Sequence, residues 1–256
     1  MDNAGKWGII IQARTGSTRL PRKMVLPFYD GKGVFELLLQ RIVARFAGVM
    51  PVVVATTGCP SDDILVDLAG KVGASVFRGD EADVLGRFIG AARRFGIANV
   101  VRVCADNPFL DMDGIKCLVD GMDSDGGVDY ITYAKADGTP AMKTHYGFWA
   151  EAVRLDALQR VAAATSDKLY HEHVTNYVYS HPEDFNLRFL PIPHELDVNT
   201  RLRLTLDTEE DFKLLQTIYA HVASTGNVCI GNVIDAVDRL PGCYEAMEKQ
   251  IRRNSK

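Results

Sequence analysis

Residues 14–23 read Arg-Thr-Gly-Ser-Thr-Arg-Leu-Pro-Arg-Lys, with four positive charges and no acid. At the chain average of 29 Lys and Arg in 256 residues, about one would fall in such a stretch. Gly16 allows unusual backbone angles, Pro21 stops the segment from continuing as a helix, and Ser17 and Thr18 add hydroxyl donors. Exposed backbone N–H groups, a flexible glycine and several cations together describe a cradle for phosphate. The competing reading is a solvated basic loop. Neither standard cradle fits. A Walker A motif needs glycine where Pro21 stands, and the dinucleotide fingerprint G-x-G-x-x-G is absent after the first strand. P-loop NTPase and NAD-enzyme readings both lose their main support.

Two acidic positions could complete such a site. Asp106, in Val-Cys-Ala-Asp-Asn-Pro-Phe-Leu, follows an apolar run and would place a carboxylate near the same crevice. Carboxylate oxygens suit Mg²⁺, which usually takes one or two of them plus substrate phosphates. A turn aspartate before Pro108 is the structural alternative. Asp207, in Leu-Thr-Leu-Asp-Thr-Glu-Glu-Asp, ends a strand-like alternation. Thr208 and Asp211 after it read as a capping-box variant, which leaves Asp207 without a structural task. Asp111 and Asp113 form a D-x-D, but they open a helix, and capping outweighs metal ligation there. His171 and His173 lie two apart on a helix and share no face, so a two-histidine metal site is not expected. No nucleophile elbow or Ser-His-Asp order supports hydrolase chemistry.

The elements that must position these residues alternate. Apolar bursts at residues 7–13, 51–55, 74–77, 98–103 and 128–133 read as buried strands. Helical patterns at 34–46, 61–72, 83–95 and after Asp111 separate them, which indicates βαβ units and a mostly parallel sheet. The basic loop then sits at a strand's carboxyl end, where ligands bind in open α/β sheets. After Ala134 the rhythm changes. A strand-like stretch at 143–149, helices at 155–164 and 168–179 and a strand at 185–190 could form a lobe spanning 134–197. A strand pattern at 201–206, a helix from Thr208 to about residue 222 and a last helical region with a basic tail at 252–256 complete the chain.

Length and composition fit one large domain over residues 1–256, or one domain with a lobe. Apolar residues are 47% and charged residues 24%, ordinary for a globular chain. A net charge of −4 argues against a general nucleic-acid binder. Five scattered cysteines, with no C-x-x-C, argue against disulfides and structural zinc. Residues 1–6 are polar and mixed, the apolar stretch after them is too short for a signal peptide, and no run approaches a membrane span. A cytoplasmic setting is expected.

The segment Ile-Ile-Ile-Gln-Ala-Arg-Thr-Gly-Ser-Thr-Arg-Leu-Pro-Arg-Lys-Met, residues 9–24, closely resembles the opening of the sugar-activating cytidylyltransferases, the CMP-KDO and CMP-sialic acid synthetases. Their shared element is A-R-x-G-S-x-x-x-P-x-K, matched by Ala13, Arg14, Gly16, Ser17, Pro21 and Lys23. Gln12 in place of the usual proline points to the branch of the spore coat polysaccharide biosynthesis protein F. Further matches follow in order: residues 54–57 with Asp62 and Asp63, residues 78–88, 101–108, 172–175 and 203–211. The resemblance implies a nucleotide-diphospho-sugar transferase-like α/β fold, a Rossmannoid, mostly parallel sheet with flanking helices and a small inserted lobe.

It also implies a CTP donor, Mg²⁺ as cofactor and a homodimer. Gln12, Ala13, Arg14, Gly16, Ser17, Arg19, Lys23, Thr56 and Arg78 would bind the nucleotide: the loop from Arg14 to Lys23 would hold the triphosphate, and the backbone near residues 55–57 and Arg78 would approach base and ribose. Asp106 and Asp207 would bind the metal, and Arg14, Lys23, Asp106 and Asp207 would carry catalysis. Asn107, Trp149, Glu151 and His173 would face the acceptor, an acidic or amino sugar or a related small acid. Relatives usually carry G-[LF]-D-x-E in that region. Here it reads Gly147-Phe148-Trp149-Ala150-Glu151, with an indole where an aspartate is expected. Two alternatives remain: a glycosyltransferase on the same fold, which would need a D-x-D where Ala105-Asp106-Asn107 stands, and a catalytically silent nucleotide-binding module.

Overall fold

The computed structural model describes residues 6–254. Residues 1–5 and the last two of the basic tail lie outside them. Seven strands form a single sheet: β1 (Trp7–Gln12), β2 (Val52–Thr57), β3 (Ser75–Gly79), β4 (Asn99–Cys104), β5 (Tyr130–Ala134), β6 (Glu151–Arg154) and β7 (Leu187–Pro191). Their order is β3-β2-β1-β4-β6-β5-β7. Pairing is parallel except for β6, which runs antiparallel between β4 and β5. Residues 134–197, expected as a lobe, thus return two strands to the common sheet.

The strands read as continuous apolar runs because both faces are covered. Alternation still sorts them: Ile9, Ile11, Val52, Val54, Val101 and Val103 join one core, and Ile10, Val53, Ala55 and Val100 the other. The first core is roofed mainly by α1 (Val34–Phe46), α2 (Asp63–Lys71), α4 (Met112–Asp123), α9 (Glu209–Thr225), α10 (Ile230–Arg239) and α11 (Cys243–Arg253). The second is covered by α3 (Val84–Phe95), α5 (Leu155–Ala164) and α7 (Asn176–Ser180). The remaining short helices are α6 (Lys168–Glu172) and α8 (His194–Asp197).

Three expected elements differ. Residues 143–149 are not a strand: a 3₁₀ turn at Ala141–Lys143 leads into irregular chain, and the strand is β6. Gly147 sits at φ +68, and a Cβ there would lie 2.8 Å from the Leu204 carbonyl. The close approach suits glycine alone, and the positive φ is incompatible with a β ladder. The single helix expected over 168–179 is two, α6 and α7, broken at His173 and Thr175. The Thr175 hydroxyl is turned into the core onto Glu151 instead. The alternating residues 201–206 bury Leu202, Leu204 and Leu206 but form no strand. Their amides go to single loop carbonyls, Leu204 to His145 and Leu206 to Asp106.

Candidate active site

Two adjoining cavities of about 300 and 350 Å³ open at the carboxyl ends of β1 and β4, and Gln12, Arg19, Asp106 and Asp207 belong to both walls. The second is the cradle: Ala13, Arg14, Gly16, Ser17 and Lys23 line it. The loop between β1 and α1 holds its shape through a buried acid. Asp62, 1% exposed, accepts from the Thr15 amide at 2.7 Å and the Thr15 hydroxyl at 2.6 Å. Its other oxygen accepts from the hydroxyls of Thr56 and Thr57 at the end of β2. Burial pushes the Asp62 carboxyl up, but the hydrogen bonds from Thr15, Thr57 and Thr56 outweigh it and hold it below the ordinary value. Its two neighbours from the sequence reading are therefore structural in their side chains. Thr56 is fully buried against Asp62. Arg78 clamps the exit of β2 through the Thr57 and Cys59 carbonyls and Asp63. Neither side chain is among the walls of these two cavities; the expected approach to base and ribose concerns the backbone there.

The two carboxylates converge although 101 positions separate them. Asp106 follows β4, and Asp207 precedes α9 beside the Thr208–Asp211 capping box. The Lys23 ammonium lies 3.1 Å from Asp106 Oδ2 and 3.9 Å from Asp207 Oδ1. Arg19 Nη2 lies 2.7 Å from the same Asp207 oxygen. The other oxygen of Asp207 is held from behind by Arg203 Nη2 at 3.0 Å. Arg203, 1% exposed, is itself fixed by both oxygens of Asp211 and by His145 Nδ1. Burial works against its charge, but Asp211 and Asp207 overcome that and raise its basicity. Because arginine has no acceptor, His145 Nδ1 must be unprotonated there. Asp207 Oδ1 is thus the atom presented to the cleft. Arg14 spans the cradle mouth between Glu81 at 3.7 Å and Glu172 at 3.8 Å.

The first cavity has a different wall, made by Arg102, Asn107, Met142, Thr144, Trp149 and Thr205, while His173 borders both cavities. Trp149 is 4% exposed. It stacks on Tyr133 at 5.3 Å and meets Tyr146 edge-on at 6.0 Å. It is therefore both a core residue and a cavity wall. Glu151 is not a wall residue. It is 0% exposed, and its oxygens take Arg102 Nη1 at 2.5 Å, the Thr175 hydroxyl at 3.0 Å and the Tyr130 hydroxyl. The expected direct acceptor contact of Glu151 does not fit that burial: Glu151 holds Arg102, which does line the cavity and whose Nη2 donates to Gln12 Oε1 at 3.2 Å. Burial opposes the Arg102 charge, yet Cys104 and Glu151 more than compensate and hold the guanidinium charged.

The lesser acids and histidines have structural tasks. Asp111 caps α4 through the amides of Asp113 and Gly114. His171 bridges Asp83, the cap of α3, and the Thr165 carbonyl, while His173 lines the cleft. Among the described residues no group of three or more His, Cys, Asp or Glu could hold a metal; Asp106 and Asp207 are two carboxylates that could hold a cation only together with oxygens from a ligand. Sequence reasoning missed Asp62, Arg102 and Arg203 as site-builders. A charge in the middle of an apolar strand, Val-Val-Arg-Val, was a usable signal, since such a charge needs a buried partner.

A mostly parallel sheet with a basic loop after β1, one acid after β4 and a second just before α9 is a setting in which an α/β enzyme can bind a nucleotide. Residues 8–226 match the cytidylyltransferase family, and the chain belongs to it: it is a CTP-dependent nucleotidyltransferase. It is 31% identical over 237 residues to the spore coat polysaccharide biosynthesis protein SpsF of Bacillus subtilis, covering 91% of this chain and 94% of that one. A solved cytidylyltransferase from Leptospira borgpetersenii is 30% identical with a TM-score of 0.81, covering 94% and 97% of the two chains. CMP:2-keto-3-deoxy-manno-octonic acid synthetase, solved with CTP, shares the fold at 18% identity and a TM-score of 0.61, covering 84% and 99%. No helix among the described residues is long and apolar enough to cross a membrane.

Proposed function

We propose that this enzyme transfers CMP from CTP to an acidic or amino sugar, or a related small acid, releasing pyrophosphate. It would do so in the cytoplasm, as a homodimer, in the making of a surface polysaccharide or glycan precursor. The observation that carries this reading is the meeting of the cation-rich cradle and the Asp106–Asp207 pair on one wall shared by two cavities. One cavity suits the triphosphate and the other the acceptor. The acceptor oxygen attacks the α-phosphorus in line and pyrophosphate leaves, a reaction that rests on positioning and electrostatic stabilisation. Arg14 and Lys23 neutralise charge growing on the leaving pyrophosphate, while Ser17 and the loop amides orient the phosphates. Asn107, Trp149 and His173 bound the acceptor.

Asp106 and Asp207 fit Mg²⁺: both present a carboxylate oxygen to one ammonium, and hard oxygen donors suit that ion. When bound it would supply charge stabilisation at the α-phosphate. A pyrophosphate-release screen of CTP against acidic sugars, amino sugars and small phosphorylated acids tests the reading. Release confined to one acceptor class supports it. Acceptor-dependent release that proceeds equally with ATP, GTP and UTP contradicts it.

A further inference from the structure

Lys23 sits as a compact cation in a surround of oxygens. Its Nζ lies 3.1 Å from Asp106 Oδ2, 3.9 Å from Asp207 Oδ1 and 2.5 Å from the Leu206 carbonyl. The side chain is only 10% exposed, so solvent shares little of its charge. Arg19 adds a second cation on Asp207 Oδ1, but that side chain is 53% exposed. Locally the two carboxylates are matched by these two cations, and Arg203 behind Asp207 is matched by Asp211.

The carboxylates are the ones assigned above to the divalent cation. An ammonium and a metal ion cannot share that place, because like charges a few ångströms apart disfavour one another. A bare divalent cation would also bring two charges to a group already neutral. A triphosphate brings the anions that the displaced cations need, and phosphate oxygens that two carboxylates alone do not supply. Lys23 has somewhere to go: its flexible stem also lines the cradle cavity with Gly16 and Ser17.

We propose that Lys23 is the resident counter-ion of Asp106 and Asp207 and excludes a divalent cation until the nucleotide arrives, when its ammonium transfers from the carboxylates to the phosphates. Metal and CTP then bind as a mutually dependent pair. This rests on Asp106 and Asp207 being the metal carboxylates.

The experiment is Mn²⁺ binding to the full chain, read by electron paramagnetic resonance with and without CTP. The wild type should bind Mn²⁺ at least about tenfold more tightly with CTP than without, and Mn²⁺ should raise CTP affinity by the same factor. Lys23→Gln should bind Mn²⁺ in the absence of CTP at least about tenfold more tightly than the wild type, a gain that Asp207→Asn removes. Arg19→Gln should show a smaller gain in the same direction. A merely structural lysine would lower the melting temperature without raising metal affinity. Equal nucleotide-free Mn²⁺ binding by wild type and Lys23→Gln overturns the proposal, as does wild-type Mn²⁺ binding indifferent to CTP. A gain in Lys23→Gln that survives Asp207→Asn overturns it too, by placing the cation elsewhere. If Lys23→Gln does not fold, Arg19→Gln at its exposed position decides: a gain supports exclusion by the paired cations and no gain overturns it. Should CTP itself fail to bind, the nucleotide reading fails, while the nucleotide-free arm still tests the exclusion.

Discussion

The two walls of the cleft handle charge in opposite ways. On the cradle wall, Arg14 meets Glu81 and Glu172 through side chains 39–58% exposed and Arg19, 53% exposed, meets Asp207, while Lys23 meets Asp106 and Asp207 from a largely buried position. On the acceptor wall, the charge pair is Arg102 with Glu151, at 8% and 0% side-chain exposure, and only the guanidinium reaches the cavity. Exposed pairs contribute little to stability and exchange partners easily. Buried pairs are costly to break because the remaining charge is left uncompensated. The outer cradle pairs can therefore change partners, whereas the acceptor wall holds its charge still; Lys23, largely buried, has two carboxylates on one side and the cradle on the other.

Substitutions can break that contrast. The largest effect is expected at Asp106→Asn and Asp207→Asn. Each should lower pyrophosphate release by at least about 10³-fold, or about 4 kcal/mol. Because the two act as a unit, the double variant should be far less impaired than the product of the single effects. Melting temperatures should stay close to wild type for Asp106→Asn. Near wild-type release in either single variant would remove that residue from the site.

Glu151→Ala should do the reverse. Stripping the partner from Arg102 should cost about 3–5 kcal/mol of stability, measured by denaturant unfolding. A cost below about 1 kcal/mol, the range of exposed pairs, would dissolve the difference between the walls.

Trp149→Phe sharpens the acceptor side. It keeps much of the packing on Tyr133 but removes the indole N–H. Acceptor preference in the release screen should shift by about one order of magnitude, the scale of one neutral hydrogen bond, with CTP affinity unchanged. A parallel loss for every acceptor would assign Trp149 to packing alone.

A control on the scaffold is Thr208→Ala, which deletes the cap of α9 without touching a charge. Thr208 Oγ1 accepts from the Asp211 amide at 3.1 Å, and the loss should be about 1 kcal/mol, visible as a modest fall in melting temperature.

The smallest effect is a pH dependence. The Thr165 carbonyl and Asp83 raise the His171 pKa above its ordinary value. A raised histidine contributes stability that is fully present below the unfolded value of about 6.5 and is lost as pH rises through the folded value. The melting-temperature difference between wild type and His171→Asn should therefore be largest near pH 6 and shrink above it. A difference that grows with pH would refute the charged pairing.

Much of the cradle wall was legible before any coordinates. Arg14 to Lys23 is one contiguous stretch, and contiguous chemistry survives in a linear text. Residues 34–46 and 155–164 coincide with α1 and α5 because their apolar spacing matches the helical period. The acceptor wall was less legible. Glu151 and Trp149 were recognised as positions, but on a strand of period two a side chain's face depends on where the strand is placed. β6 enters antiparallel between β4 and β5, and this puts Glu151 opposite Arg102 and inside the core.

By itself, then, the chain determines its alternation of strands and helices, the concentration of cations after β1 and the caps at Asp111 and Thr208, all of which are local in sequence. Only the tertiary structure decided which acid meets which base. Lys23 finds Asp106, Thr15 finds Asp62, and Arg102 finds Glu151, across separations of 83, 47 and 49 residues. The physical reason is that local propensity acts over a few residues, whereas a buried or half-buried charge takes its state from whatever the sheet order brings within hydrogen-bonding reach.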